Sequence, residues 1–250
     1  MRLTILGSGD ARQVPVYNCE CQACTEAHRD PAKCRLPCSA LIECGSQRWL
    51  IDSGLTDLAE RFAPHTLSGI LQTHYHADHA QGLLHLRWGV GLVIPVHGPD
   101  DPEGLADLYK HPGILDFSKP FSAFETRHLG ELTVTALPLN HSKMTFGYVL
   151  EGDGQRMAYL TDTVGIAEAS AQVLTQAPLD LLVLDCSQPP QPEAPRNHND
   201  ITRALEVIER LQPKHSVLTH IGHTLDVWLQ TNAQSLPDTV SVAFDGMRLG

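Results

Sequence analysis

Thr73-His74-Tyr75-His76-Ala77-Asp78-His79 is the stretch that decides how this sequence of 250 residues is interpreted. It directly follows a short apolar run at Gly69–Gln72 that we predict to be a strand. Three imidazoles and a carboxylate therefore stand together at the end of a strand. Side chains alternate along extended backbone, so the first two histidines point the same way, and a turn can bring Asp78 and His79 to a neighbouring position. Two such sets of ligands can serve two divalent metal ions about 3.5–4 Å apart.

Composition excludes several classes of protein. With 42% hydrophobic and 19% charged residues, the chain is not disordered. A net charge of −11 argues against binding to nucleic acid or to anionic membranes. No apolar run reaches the roughly 18 residues of a membrane span, and the first residues lack the features of a signal peptide. The seven cysteines, an odd number, favour reduced thiols, so we expect a cytoplasmic protein.

Apolar, β-branched runs alternate with segments of helical periodicity along the chain. We predict strands at Leu3–Leu6, Ala40–Glu43, Trp49–Ile51, Gly69–Gln72, Leu92–Val96, Leu132–Leu137, Phe146–Leu150, Met157–Leu160, Leu181–Leu184, Ser216–Leu218 and Val240–Phe244. We predict helices at Asp57–Phe62, His79–Trp88, Gly104–Tyr109, Ile166–Gln176, Ile201–Leu211 and Asp226–Ser235. Asn199 or Asp200 can cap the helix from Ile201. The pattern indicates an α/β fold with two sheets and outer helices, formed by one domain over residues 1–250.

The histidine-rich stretch resembles the signature of the metallo-β-lactamase superfamily of metal-dependent hydrolases. This family has further ligands after later strands, and His141, Asp162 and His220 occur in that order and context. The resemblance implies an αββα sandwich of two mixed sheets flanked by helices. It also implies two metal sites joined by Asp162, one with His74, His76 and His141 and the other with Asp78, His79 and His220. Two divalent ions, two carboxylates and a hydroxide would leave the centre net positive, which suits a phosphate anion.

Asp52 also matches a position of this family. It lies in Leu50-Ile51-Asp52-Ser53-Gly54, after a predicted strand. By the resemblance its carboxylate orients a ligand imidazole through the second ring nitrogen. The alternative is an aspartate that caps the turn before Gly54.

Three cysteines lie within six residues, in Cys19-Glu-Cys21-Gln-Ala-Cys24. Three thiolates suit zinc, and a tetrahedral structural site needs a fourth ligand. Our candidate is His223, three residues after His220. The spacing leaves Cys34, Cys38 and His28 as other choices for the fourth ligand. A zinc ion there would fix an otherwise irregular insert at about residues 17–38.

His198 follows a proline-rich loop at Ser187–Pro195 and precedes the helix from Ile201. An imidazole at this place can lean over the metal centre and protonate a leaving alkoxide. The alternative is a histidine on a solvent-exposed loop. For a substrate phosphate, Arg196, Lys143 and Arg203 are candidate partners, although a residue of this kind is more often an ordinary solvated charge.

With these features the whole chain resembles the PhnP family, the cyclic phosphodiesterases of the bacterial carbon–phosphorus lyase pathway for phosphonate use. The resemblance implies hydrolysis of 5-phospho-α-D-ribosyl 1,2-cyclic phosphate to ribose 1,5-bisphosphate. A metal-bridging hydroxide would attack phosphorus, with His198 as general acid and Asp78 as a further catalytic residue. It also implies a homodimer, a structural zinc, and two active-site ions for which manganese is favoured and zinc or nickel is an alternative.

The alternative function is that of an endoribonuclease that matures the 3′ ends of tRNA, which shares the same metal motif. Such an enzyme needs a basic surface or arm to hold a polyanion. The sequence has no Lys/Arg-rich insert. We therefore expect a small phosphate ester as the substrate, with no nucleic acid and no membrane as partners.

Overall fold

Two seven-stranded sheets pack face to face in the computed structural model, which describes residues 1–193 and 195–250. The proline-rich loop predicted at Ser187–Pro195 is thus described except at residue 194, which lies outside the described residues. The first sheet contains β1 (Arg2–Gly7), β2 (Ser39–Cys44), β3 (Gln47–Ile51), β4 (Gly69–Leu71), β5 (Ile94–His97), β6 (Leu115–Asp116) and the last strand of the chain, β14 (Arg248–Leu249). Its order is β14-β1-β2-β3-β4-β5-β6, antiparallel as far as β3 and parallel from there.

The second sheet comes from the middle and later parts of the chain. It contains β7 (Thr126–Leu129), β8 (Leu132–Pro138), β9 (Phe146–Gly152), β10 (Gln155–Leu160), β11 (Leu181–Asp185), β12 (His215–Thr219) and β13 (Val240–Val242). Its order is β13-β12-β11-β10-β9-β8-β7. Since β9 is antiparallel to both β8 and β10, while β10 to β13 are mutually parallel, β8, β10, β11 and β12 all end at one edge.

Helices cover the outer faces of both sheets. They are α1 (Gln22–Ala27), α2 (Leu58–Arg61), α3 (Ala77–Ala80), α4 (Leu83–Leu86), α5 (Ala106–Lys110), α6 (Glu168–Leu174), α7 (Ile201–Leu211) and α8 (His223–Asn232). The cap of α7 is Asp200, whose carboxylate accepts the Arg203 N–H at 2.9 Å, as capping chemistry favours. Within the described residues, no helix has the length and apolar character that crossing a membrane requires.

Three hydrophobic layers follow from this arrangement. The middle layer joins the inner faces of both sheets, where Ile5 and Ile42 meet Val134 and Tyr148. One outer layer places α6, α7 and α8 against the second sheet, and the other places α2, α4 and α5 against the first. The predicted αββα sandwich of two mixed sheets is therefore confirmed.

Some predicted elements were wrong in detail. The single helix predicted at His79–Trp88 is interrupted near Gly82, because the Gly82 N–H donates to the Ser53 carbonyl oxygen at 2.8 Å instead of to the preceding turn, and the chain forms α3 and α4. The stretch Cys19–Cys38, predicted to be irregular, contains α1 and a 3₁₀ turn at Pro31–Lys33. The short strands β6, β7 and β14 were not predicted, because two to four residues carry too little alternation to be recognised.

Candidate active site

The sequence-predicted ligands meet at the edge where the parallel strands end. The histidine-rich stretch leaves β4 and forms the extended approach to α3, whose first turn carries Asp78 and His79. From the second sheet, His141 follows β8, Asp162 follows β10 and His220 follows β12. Because carboxyl ends of parallel strands share one edge, residues distant in sequence converge on one place.

A first group holds three ring nitrogens around a common point. His76 Nδ1 lies 2.9 Å from His74 Nε2 and 3.0 Å from His141 Nε2. Asp162 Oδ2 lies 3.7 Å from the Nε2 atoms of both His74 and His141. These four side chains form one cluster with the geometry of a metal site.

A second group shares Asp162 with the first. His79 Nε2 lies 3.3 Å from Asp78 Oδ2 and 3.3 Å from Asp162 Oδ2. His220 Nε2 lies 3.5 Å from Asp78 Oδ2 and 3.5 Å from Asp162 Oδ1. The structure therefore brings all seven predicted side chains together in the predicted division, with Asp162 between the two groups.

Bonds behind the rings fix which nitrogen faces the site. Nδ1 of His79 lies 2.7 Å from Asp52 Oδ2, and Nδ1 of His141 lies 3.0 Å from the Asn197 carbonyl oxygen. Nδ1 of His220 lies 2.8 Å from Ser187 Oγ. With Nδ1 occupied, Nε2 is the nitrogen left for a ligand, which is how metal-binding imidazoles are commonly oriented.

The donor set fits divalent cations. Among the described residues, Nε2 of His79, Nε2 of His220 and Oδ1 of Asp162 are buried without hydrogen-bond partners. Such orphaned atoms are costly unless something else satisfies them. Metal–ligand bonds of about 2.0–2.1 Å in a tetrahedron place ligand atoms roughly 3.3–3.4 Å apart, close to the separations in the second group. The residues present thus suit two cations of the borderline class.

Burial and charge act differently on the two sets of imidazoles. Burial lowers the pKa of His74 well below its ordinary value, and it also lowers the pKa of His76 and of His141. These rings are therefore neutral, as ligation requires. Burial acts in the same direction on His79, but Asp162 and Asp52 outweigh it and hold the pKa of His79 well above the usual range.

Asp52 is the centre of a buried hydrogen-bond network. Besides His79, its carboxylate accepts the Thr73 backbone N–H at 2.8 Å and the Thr73 hydroxyl at 2.8 Å. The amide of Gln72 donates to the same carboxylate at 3.1 Å. Asp52 thus contacts a predicted ligand from behind, as the resemblance implied, rather than only capping a turn.

His198 lies over the ligand cluster instead of on an isolated surface loop. Its ring stacks on that of His220, with centroids 4.7 Å apart, and a quarter of the side chain stays exposed. Nδ1 lies 2.8 Å from Oδ2 of Asp185. Burial alone would lower the pKa of His198, but the charge and hydrogen bond of Asp185 raise it above its ordinary value.

Asp185 is a residue that the sequence reasoning missed. It ends β11, is fully buried, and also accepts the Thr163 N–H at 2.8 Å and the Ser187 hydroxyl at 3.1 Å. Its signal was an acidic residue at the end of the apolar run Leu181–Leu184, the same context that indicated Asp162. A lone aspartate at a strand end is also common in turns, so the signal was weak.

The three closely spaced cysteines meet His223 across about 200 residues of sequence. Nδ1 of His223 lies 3.3 Å from Cys19 Sγ, 3.4 Å from Cys21 Sγ and 3.7 Å from Cys24 Sγ. A tetrahedral zinc ion would place sulfur and nitrogen about 3.6 Å apart. We name these four residues the cysteine cluster.

The other choices for the fourth ligand lie elsewhere. Cys38 is buried near Tyr159, with Sγ 3.3 Å from the phenol oxygen, and Cys34 Sγ lies 3.5 Å from the Ala27 carbonyl oxygen. His28 is the C-cap residue that follows α1, and it is not in the group. The geometry therefore favours His223, and its role as a zinc ligand stays a prediction.

Fold and ligand geometry together define a metallo-β-lactamase-fold hydrolase. A family model described as a β-lactamase superfamily domain matches residues 47–221, and the chain belongs to this superfamily.

Individual relatives are similar over the whole chain. A crystal structure described as a new diphosphatase from the PhnP family has a TM-score of 0.82 and 29% identity, covering 100% of this chain and 97% of that one. This confirms the resemblance to the PhnP family. Human tRNase Z, short form, has a TM-score of 0.69 at 20% identity and covers 100% and 99%, which shows the shared fold alone.

A curated relative has a different name. An octanoyltransferase of Porphyromonas gingivalis is 28% identical over 265 residues, which cover 99% of this chain and 51% of that protein. The chain therefore spans about half the length of that curated relative.

Proposed function

We propose that this chain is a phosphodiesterase that opens the cyclic phosphate of 5-phospho-α-D-ribosyl 1,2-cyclic phosphate to give ribose 1,5-bisphosphate. The observation that carries the proposal is His198, an imidazole held over the ligand cluster by Asp185. Hydrolysis of an ester with an alkoxide leaving group needs a proton donor at this place. The likeness to a diphosphatase of the PhnP family supports hydrolysis at phosphorus, the coarser class to which this reaction belongs.

The ligands would be shared between two divalent ions, for which the family resemblance favours manganese over zinc or nickel. When bound, these ions would lower the pKa of a water molecule and neutralise charge on the phosphate oxygens. The second-group carboxylate of Asp78 keeps 15% of its side chain exposed. It can therefore accept a hydrogen bond from the attacking water and orient it.

His198 supplies the proton for the leaving group. With Nδ1 bound to Asp185, the proton on Nε2 is the one that faces the substrate. Water attacks phosphorus in line with the bond to the ribose 2-oxygen, so a new P–O bond forms as that bond breaks. The Nε2 proton of His198 is transferred to the departing 2-oxygen and neutralises it. Asp185 stabilises the imidazolium before the transfer and fixes the ring plane, so we assign it as a positioning residue.

The tRNA 3′-processing reaction remains the alternative. The fold shared with human tRNase Z supports it. The net charge of −11 opposes it, because a polyanionic substrate needs a basic surface. A small anionic ester needs no basic surface, since cations at the metal centre would reverse the sign of the charge locally.

We also propose a structural zinc at the cysteine cluster and a reducing, cytoplasmic location. The three thiols lie within 3.7 Å of Nδ1 of His223, and this donor set of three sulfurs and one nitrogen supports zinc. All seven cysteines are free, which supports a reducing compartment.

A homodimer is a further part of the proposal. Leu84, Trp88, Val90 and Val93 are exposed beside a cavity of about 510 Å³, lined in part by Phe62. A patch that holds both protruding side chains and a cavity can pair with its own copy about a twofold axis. Light scattering should give twice the chain mass, and Trp88→Glu should give the monomer. A monomeric wild type would contradict this part.

Phosphorus NMR of the cyclic ribosyl phosphate with metal-loaded protein tests the proposed reaction. We expect one cyclic diester signal to be replaced by a monoester signal. An unchanged spectrum would contradict the proposal, and faster cleavage of a pre-tRNA or of an organic diphosphate would replace it.

Variants test the general acid. His198→Ala should reduce kcat on the cyclic substrate by about 10²–10⁴-fold but affect an activated aryl phosphodiester much less. Equal losses on both substrates would exclude the proton-transfer role. His215→Ala, at an exposed histidine on β12, is the matched control.

A further inference from the structure

Lys143 stands at the rim of the candidate active site. It lies in the loop between β8 and β9, two residues after His141. Its ammonium is 3.0 Å from Oδ2 of Asp101, and only 16% of its side chain is exposed. Asp101 follows β5, which is parallel to β4, so the two loops meet at the edge that carries the ligands.

The ion pair leaves the ammonium with donors to spare. Among the described residues, Oδ2 of Asp101 is buried without a well-aligned hydrogen bond, although Lys143 Nζ lies nearby. The other carboxylate oxygen of Asp101 accepts the Glu103 N–H at 3.0 Å. A lysine carries three donors. Oε2 of Glu103, whose side chain is largely exposed, lies 4.0 Å from the ammonium, beyond hydrogen-bond distance. Asp101 therefore fixes the position of the charge without using up its hydrogen bonds.

Two other cations are bound to carboxylates close to them in the sequence, and Arg196, two residues before His198, is exposed. Arg12 is bound to Asp10 through Nε at 3.1 Å and Nη2 at 2.6 Å. Arg203 lies 3.3 Å from Asp200, the residue that caps α7. Lys143, in contrast, lies two residues after the predicted ligand His141, and it is paired with Asp101 of a different loop rather than with a carboxylate of its own segment.

A buried ion pair is by itself a poor source of stability, because desolvation offsets most of the attraction. An ammonium that is held in place beside a metal-binding centre is, however, well suited to recognise an anion. The proposed substrate carries two phosphates, and the centre engages only the one that is attacked. The second, a monoester dianion, needs a cation at the rim.

We propose that Lys143, positioned by Asp101, binds the phosphate monoester of the substrate that is not attacked. This inference rests on the proposed function and adds the residue that makes the enzyme selective for a phosphorylated ribose. Lys143 would act in binding, not in bond breaking. Its removal should therefore raise KM and leave kcat nearly unchanged.

The test compares ribose 1,2-cyclic phosphate with and without the 5-phosphate. Lys143→Gln should reduce kcat/KM for the phosphorylated substrate roughly 10- to 100-fold, and the loss should lie in KM. The substrate without the 5-phosphate should be hydrolysed as well as by the wild type. Lys214→Gln, which removes an exposed lysine paired with Asp180, is the control. It should leave kcat/KM for both substrates unchanged.

Two further variants separate recognition from a structural role. Lys143→Arg keeps the charge and should retain the preference for the 5-phosphate, and it serves as the test if Lys143→Gln does not fold. Asp101→Asn alone should cause a smaller loss of kcat/KM for the phosphorylated substrate. In a protein that already carries Lys143→Gln, Asp101→Asn should cause no additional loss. Equal losses on both substrates, or no loss on either, would overturn the proposal.

If the wild type opens neither cyclic ester, the proposed function is refuted but this inference is not. The role of Lys143 is then tested by calorimetry on the metal-loaded protein, with ribose 1,5-bisphosphate and ribose 1-phosphate as probes. We expect Lys143→Gln to weaken binding of the bisphosphate alone. Unchanged affinity for the bisphosphate would overturn the role of Lys143.

Discussion

The candidate active site and the cysteine cluster are both groups of metal-ligating side chains, but they are built differently. The active-site ligands leave the ends of long buried strands, and residues such as Asp52 and Ser187 hold their rings from behind. The cysteine cluster lies on an insert whose own core consists of Val14, Cys24 and Ala27. His223, at the start of α8, joins the cluster to the sandwich, and Arg35 of the insert adds an ion pair with Asp226 of the same helix at 2.7 Å.

This difference indicates a division of roles. A fold that already orients its ligands gains chemistry from a metal, whereas a segment with a minimal core gains its structure from one. Removing an active-site ligand should therefore cost activity and leave the fold intact. Removing a cluster ligand should loosen the insert and leave most of the activity.

The largest expected effect is that of His76→Ala. His76 is only half-buried and contributes its Nδ1 to the first group, so its loss should spare the core. We expect turnover to fall on the order of 10³-fold or more, because a metal site supplies several kcal/mol to such a reaction. Steady-state kinetics with metal analysis measures the loss, and Tm should stay close to that of His215→Ala, an exposed control. A large fall in the Tm of His76→Ala would contradict the view that active-site ligands contribute to activity and not to the stability of the fold.

The next effect is expected for Cys24→Ser. Loss of a thiolate from the cysteine cluster should release one equivalent of metal and raise amide exchange in residues 14–38 on the order of 10²-fold. Activity should stay within about tenfold of the wild type. Cys34→Ser is the matched control, because Cys34 lies in the same insert but outside the cluster. Unchanged exchange in Cys24→Ser would show that the insert is ordered by its own packing.

A smaller effect is expected for Asp185→Asn. The substitution keeps the shape of the side chain but removes the charge that orients and stabilises the His198 imidazolium. We expect kcat to fall about 10- to 100-fold with KM unchanged, in line with other partners that lie behind catalytic groups. The double variant with His198→Ala should be no slower than His198→Ala alone. Additive losses would mean that Asp185 acts on the ligands and not through His198.

Local spacing explains why so much of the active site could be predicted from sequence. His74, His76, Asp78 and His79 lie within one short stretch, and the remaining ligands each follow a recognisable strand. Asp185 could not be recognised, because its role depends on the His198 loop folding back over β11. The fourth residue of the cysteine cluster remained open among His223, Cys34, Cys38 and His28, since spacing alone does not bring distant residues together.

The fold was predictable wherever burial imposes a period on the sequence. The helix Ile201–Leu211 was predicted with its observed bounds, because its apolar residues recur every three or four positions. The six residues of α1 lack such a stripe, and two of its buried positions are Cys24 and Ala23. Short or ligand-bearing elements obey local chemistry, which hydrophobic periodicity does not reveal.

The contact between Cys19 and His223 also has a consequence for chain entropy. The two residues are 204 positions apart, so a metal held between them would close a loop that contains most of the polypeptide. Such a closure acts on the unfolded chain like a long-range disulfide, whose stabilisation grows with the logarithm of the loop length. It would also tie the N-terminal insert to α8, only three residues from the active-site ligand His220. A single ion could thus serve as a reversible cross-link that does not depend on oxidation of thiols.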